Sequence, residues 1–343
     1  MFLTEKNPPF PSFSPFRSSI KRSPLHDFDL IFKSFDDKLN NRLRALSFSS
    51  PSHLISLQWL SLAVDLLSDT HADANAVISA MTSASGSSGD SRSFYLDHSV
   101  KILDVCNSVS YEIEKLRHRR LLMKFVTHLL NVSGDGYGPP APEKMKRASE
   151  CIADYERNCG DFAKRRGFEV REPDVLIRDL VNAIVTISPP RGKISTVERA
   201  VLRIIYAVGL ITVFVAGVAL SSLHGLPELT KIRVPSEFSW SDSVNELQTA
   251  IFDSERRVVL NETDEVAARA VSLRVLIDGG VTGVGEKERL EIAVKEIENL
   301  TEKMGEGLDR LDNGVNKMFG VVLSARNGVL DNYRVGPVEK RRK

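Results

Sequence analysis

The stretch that decides the fold class is residues 57–81, which read LQWLSLAVDLLSDTHADANAVISAM. Its apolar side chains recur at alternating steps of three and four residues, and this is the repeat of a helix face packed on other helices. One histidine lies within the apolar series. We therefore predict a long core helix whose buried stripe is Leu57, Leu60, Val64, Leu67, His71, Ala74, Ile78 and Met81.

The same spacing continues on both sides of this stretch. Apolar stripes of helical period occur within residues 27–46, 94–130, 145–162 and 286–333, and no segment alternates with a period of two as a strand would. Gly305, Gly307 and Gly314 interrupt the last stripe, and each costs a helix about 1 kcal/mol relative to alanine. We therefore predict an all-α fold in which packing, rather than helix propensity, holds the last helix.

Breaks in these patterns divide the chain into five regions. We predict a disordered Pro/Ser-rich tail at 1–26, an N-terminal helical bundle at 27–190, one highly apolar central helix at 204–223, a long C-terminal helical region at 236–334 and a basic tail at 335–343. Between Lys6 and Leu25 the tail has no acidic residue, so an organelle transit peptide is an alternative to simple disorder.

Composition argues against several classes of protein. The formal net charge is +1, without the basic excess that is typical of nucleic-acid binding. The three cysteines (Cys106, Cys151 and Cys159) are too few for a disulfide framework in a chain of 343 residues, and they include no CxxC pair for zinc. We predict no metal, no cofactor and no nucleic-acid partner.

The run from Ile204 to Leu223 contains no charged residue. As a helix it would measure about 30 Å, enough to cross the hydrocarbon core of a bilayer. A central helix surrounded by others would have the same composition. If the run spans a membrane, the preceding basic residues place the N-terminal bundle in the cytosol, on the endoplasmic reticulum or another endomembrane. If it is buried, we expect a cytoplasmic or chloroplast protein.

Three further features are candidate sites. The glycine cluster at 278–287 has Glu286 where a phosphate-binding loop has lysine, so we interpret it as a helix connector. His71 has Asp69 and Asp73 nearby, yet its place in the apolar stripe favours a core histidine. The basic clusters at 117–120 and 340–343 favour solvated surfaces, with attraction to anionic lipid as the alternative. None of these supplies a catalytic, cofactor-binding or metal-binding residue.

Particular segments resemble a known family. Residues 35–46 (FDDKLNNRLRAL), 57–78 and 96–107 (LDHSVKILDVCN) are similar to the plant Bypass family, the BPS-like, UPF0496-type proteins. The resemblance covers most of the chain from residue 27 onward. It implies a plant-specific protein without defined catalytic residues, associated with development and with root-to-shoot signalling.

We therefore expect a non-enzymatic regulator of plant development that acts through protein partners and is anchored in a membrane if 204–223 spans one. The alternative is a soluble helical adaptor of secretion or stress signalling that buries this helix. A third class is an enzyme acting on an apolar small molecule, which would require a pocket with converging polar groups.

Overall fold

The computed structural model describes residues 24–48, 55–85, 90–131, 140–157, 172–187, 196–224, 231–252, 260–281 and 283–334. These residues form nine α-helices and no strand, which confirms the all-α prediction; Ile55 and Leu260 form one isolated parallel bridge. The helices are α1 (Pro24–Phe48), α2 (Leu57–Ser85), α3 (Asp90–Leu130), α4 (Pro142–Arg157), α5 (Pro173–Val185), α6 (Val197–His224), α7 (Ser241–Phe252), α8 (Asn261–Asp278) and α9 (Val284–Arg334).

The predicted apolar stripes are buried. On α2, Leu60 is fully buried and every other member of its stripe is buried except Ile78, which is partly exposed. On α9, the stripe from Leu290 to Val322 is buried along its whole length. The period of three and four residues therefore located the core faces of the helices.

Helix boundaries follow local chemistry. Pro173 occupies the first turn of α5, where its missing N–H costs nothing, and α1 already begins at Pro24, inside the predicted tail. The predicted C-terminal helical region at 236–334 contains three helices among the described residues: α7 ends at Phe252, α8 begins at Asn261, and α9 begins at Val284. Cys159, most of the N-terminal tail and the basic cluster at 340–343 lie outside the described residues.

The three longest helices are packed side by side. Gly307 and Gly314 of α9 face Leu57 and Val64 of α2, so α2 and α9 run in the same direction. Helices α3 and α9 are antiparallel, because Arg117 contacts Asp309 whereas Ser99, earlier in α3, contacts Arg326, later in α9. The apolar regions of 27–190, 204–223 and 236–334 share one buried cluster that extends from α1 to α9.

Candidate functional site

Helix α6 lies at the centre of the molecule. Every residue from Ile204 to Leu223 is buried, beneath α2, α3 and α5. Among the described residues it is the one helix long and apolar enough to cross a membrane. Its most apolar stretch of 18 residues is entirely buried by the rest of the protein. The hydroxyl of Thr212 donates to the carbonyl oxygen of Val208 at 2.8 Å, so this polar group does not require water.

Segments that precede α6 in the sequence contact segments that follow it. Helix α9 follows α6 in sequence, yet it packs on α2 and α3, which precede it. Next to the bridge, the Asn261 amide donates to the Ile55 carbonyl at 2.9 Å, and the Leu57 amide donates to a Glu262 carboxylate oxygen at 2.9 Å. A single membrane span at α6 would place these partners on opposite sides of a bilayer, so this packing is incompatible with it.

His71 is a core histidine, as its position in the stripe predicted. Its Nε2 lies 3.0 Å from the Thr212 hydroxyl oxygen, which links α2 to α6. Burial, with a further contribution from the nearby His98, lowers the pKa of His71 to about 3. A ring that stays neutral at every physiological pH is a structural group here.

Sequence reasoning missed His98 on α3, which lies between the polar residues Asp97 and Ser99 and gave no signal of a special role. The ring is buried, stacks on Phe94 at a centroid distance of 5.9 Å and has no hydrogen-bond partner at either nitrogen among the described residues. Burial, and then the positive charge of Lys101, lowers its pKa to about 4. Protonating His98 would bury an unpaired charge, so the fold requires the neutral ring.

A cavity of about 30 Å³ lies where α2, α3, α6 and α9 meet. Its lining is apolar apart from the Thr212 hydroxyl and the Cys106 thiol. Burial raises the pKa of Cys106 to about 12, which keeps the thiol protonated and unreactive. An engineered protein cavity that binds benzene measures about 150 Å³. The converging polar groups that an enzyme pocket requires do not occur in this cavity.

The basic cluster at 117–120, where we predicted a solvated face with attraction to anionic lipid as the alternative, contacts other helices through its three arginines, while His118 is exposed. Arg117 pairs with Asp309 at 2.8 Å and with Asp312 at 3.1 Å on α9. The Arg120 guanidinium donates to the Thr301 carbonyl oxygen at 2.6 Å, and the Arg119 guanidinium lies 4.5 Å from the centre of the Tyr155 ring on α4. Local sequence showed the charges but could not show which helices would face them.

A second charged cluster was not predicted. Asp36 of α1 is buried, accepts from the Trp240 indole at 3.2 Å and pairs with Arg203 of α6 at 3.3 Å. The same guanidinium lies 4.3 Å from the centre of the Phe238 ring. Burial raises the pKa of Asp36, although Arg203 and Trp240 act in the opposite direction. The cluster fixes the start of α6 to α1 and to the segment before α7.

The glycine cluster at 278–287 is a helix connector. Helix α8 ends at Asp278, Gly280 adopts a φ of 81°, and α9 begins at Val284. The Gly283 amide donates to a Glu286 carboxylate oxygen at 3.0 Å, so a carboxylate already occupies the anion-binding position at the start of α9. Within the described residues, no group of three His, Cys, Asp or Glu side chains is arranged to hold a metal ion.

Comparison with known proteins gives the family. The pattern of the ROH1-like family (Protein ROH1-like) matches residues 18–156 and 177–333. UPF0496 protein 4 of Oryza sativa subsp. indica is 30% identical over 72% of this chain, which spans only 54% of that relative. Protein BPS1, chloroplastic, of Arabidopsis thaliana is 26% identical over 95% of this chain and 90% of its own length.

Protein ROH1D of Arabidopsis thaliana is 21% identical over 87% of each chain. No solved structure matches the chain. The matches to BPS1 and to a UPF0496 protein confirm the resemblance seen in residues 35–46, 57–78 and 96–107. Since the family pattern covers α1–α4 and nearly all of α5–α9, this chain belongs to the ROH1-like family.

Proposed function

We propose that this chain is a regulator of plant development that works as a helical adaptor: it binds protein partners on its outer surface and keeps α6 in its core. The similarity to the Bypass family and to Protein BPS1 supports the developmental role. The observation that carries the adaptor mechanism is the packing of α9 on α2 and α3, together with the enclosure of the apolar run of α6.

The cost of removing α6 from the bundle supports the buried position. Insertion into a bilayer would expose the apolar faces of α2, α3 and α5 that now cover α6, at about 25 cal/mol for each Å² of apolar surface. It would also break the contacts of Thr212 with His71 and of Arg203 with Asp36. A membrane-inserted α6 therefore requires that the core open.

The interior offers little basis for chemistry. Its small cavity is apolar, the Cys106 thiol is protonated and the His71 ring is neutral and hydrogen-bonded to another helix. These groups connect or fill the space between helices. The outer surface is the part of the molecule that remains available for recognition.

Genetic complementation tests this function. In plants that lack the chain, we expect altered development, rescued by wild-type protein and equally by a Cys106→Ala variant that retains the fold. Normal development without the chain would contradict the developmental role. A folded Cys106→Ala protein that accumulates to wild-type levels but does not rescue would contradict an adaptor mechanism in favour of chemistry at the cavity.

A membrane-anchored form of the same regulator is the second candidate. The length and composition of α6 favour it, since this helix could cross a bilayer. In that form Asn261 and Asn299, which begin Asn-x-Thr sequons after α6, would face the lumen and carry sugar, whereas Asn131 would not. A glycosidase-sensitive shift that disappears in an Asn261→Gln, Asn299→Gln variant would favour the anchored form.

A further inference from the structure

The hairpin of α8 and α9 carries an exposed groove of about 260 Å³ whose apolar floor is edged by Arg269, Ser272, Arg289 and Glu296. Leu276 lies on the α8 side, and Ile292 and Ala293 lie on the α9 side. Ile292 is 55% exposed, and Val275, which precedes Leu276 along α8, is 65% exposed. Clustered apolar side chains of this kind on a surface are typical of a site that another chain covers.

Charged side chains flank Ile292 along the outer face of α9. Arg289 and Glu296 lie on one edge of this face, while Glu288 and Lys295 lie on the other, and all four are exposed. The core-facing side of the same segment carries Leu290, Val294 and Ile297, so the charged face points away from the bundle.

We propose that a second copy of this chain docks here, with the two α9 helices antiparallel and a two-fold axis passing between Ile292 and Ala293. Arg289 and Glu296 are equally far from that axis. In an isologous interface, Arg289 of each copy therefore faces Glu296 of the other. On the opposite edge, Lys295 of the other copy is offset from Glu288 by two residues, or about 3 Å along the helix, which their long side chains can span. Ile292 faces Ala293 in the groove of the other copy.

The existing ion pairs leave room for this arrangement. Arg289 makes no ion pair within the described part of the chain, and Glu296 has only Arg269, at 3.4 Å. The Glu296 side chain remains 45% exposed, so a second cation can reach it. Matching charges at positions related by one two-fold axis favour a second copy of this chain over an unrelated helix, because an unrelated helix does not require that symmetry.

Charge reversal provides the test. The full chain is examined by analytical ultracentrifugation over a wide concentration range, and we expect a reversible dimer. Glu296→Arg places arginine opposite arginine at both symmetric positions and should weaken dimerisation by about tenfold or more. The double variant Arg289→Glu, Glu296→Arg restores opposite charges across the axis and should recover most of the lost affinity.

The matched control is Glu246→Arg on the exposed surface of α7, which should leave the dimer unchanged. Circular dichroism spectra establish that each variant is folded. A wild-type chain that is monomeric at every concentration would overturn the proposal, as would a dimer that is insensitive to Glu296→Arg. The proposal would also be overturned if the double variant dimerised no more tightly than Glu296→Arg alone.

Discussion

At the scale of single residues, the interior depends on two histidines that must remain neutral. His71 contributes a hydrogen bond to Thr212, whereas His98 lies beside it without a partner among the described residues. Their pKa values of about 3 and about 4 lie below the ordinary value of 6.5, chiefly because both rings are buried. The unfolded chain therefore binds protons at pH values at which the folded chain does not.

This difference predicts that stability depends on pH. Each histidine contributes stability that is fully present above pH 6.5 and is lost as the pH falls from 6.5 toward its folded pKa. The loss should approach about 1.4 kcal/mol per pH unit for each ring. Urea denaturation between pH 7.5 and pH 5 measures it. His98→Leu should remove roughly half of this slope.

The control for this experiment is His128→Gln, because His128 is exposed on α3. That variant should keep the wild-type slope. Equal slopes in wild type and His98→Leu would show that the buried ring of His98 is not responsible. Asp36 is present in every variant, so the opposite contribution of its raised pKa cancels in the comparison.

At the scale of elements, the glycines of α9 explain how a helix of 51 residues packs so closely on its neighbours. A Cβ atom at Gly305 would overlap the Arg120 guanidinium, and one at Gly307 would lie 2.9 Å from the Leu57 side chain. These two glycines therefore form notches that receive α3 and α2. By contrast, Gly320 is exposed and has no neighbouring atom within 4 Å of the position of an added Cβ.

Alanine substitution should therefore have opposite effects at different glycines of α9. At Gly320, alanine should stabilise the chain by about 1 kcal/mol through helix propensity alone. At Gly307, we expect a net loss of about 1–3 kcal/mol, because the Leu57 side chain must move from its Cβ outward. At Gly305, the flexible end of Arg120 can shift, so we expect a smaller effect, in which the gain in helix propensity is offset by the lost hydrogen bond from Arg120 to the Thr301 carbonyl oxygen. Thermal or chemical denaturation of the three single variants measures this. Equal stabilisation at all three positions would contradict the notches.

The sequence predicted the helices and their buried faces better than it predicted which helices contact one another. The period of three and four residues located the buried faces of α2 and α9, because the pattern of apolar residues that marks a buried face lies within the sequence of the helix itself. It could not place Arg117 against Asp309 or Asp36 against Trp240, since those partners lie far apart along the chain. The composition of residues 204–223 likewise fits a bilayer and a protein core equally well.

At the scale of the whole molecule, the most important feature is that helices after α6 pack on helices before it. Helix α9 covers α2 and α3, and the bridge between Ile55 and Leu260 joins segments that lie before and after α6. One apolar cluster extends through all of these elements. Helix α6 is therefore the core helix of a single helical body, and we propose that the surface of this body binds protein partners.

Alkaline carbonate extraction of membranes from plant cells that express this chain tests whether α6 stays in the protein core. Carbonate releases peripheral and soluble proteins but leaves membrane-spanning proteins in the pellet. A known single-span protein and a known peripheral protein serve as controls. Because α6 is enclosed by α2, α3 and α5, we predict that the chain is recovered in the supernatant with the peripheral control. Retention of the folded chain in the pellet with the single-span control would contradict the claim.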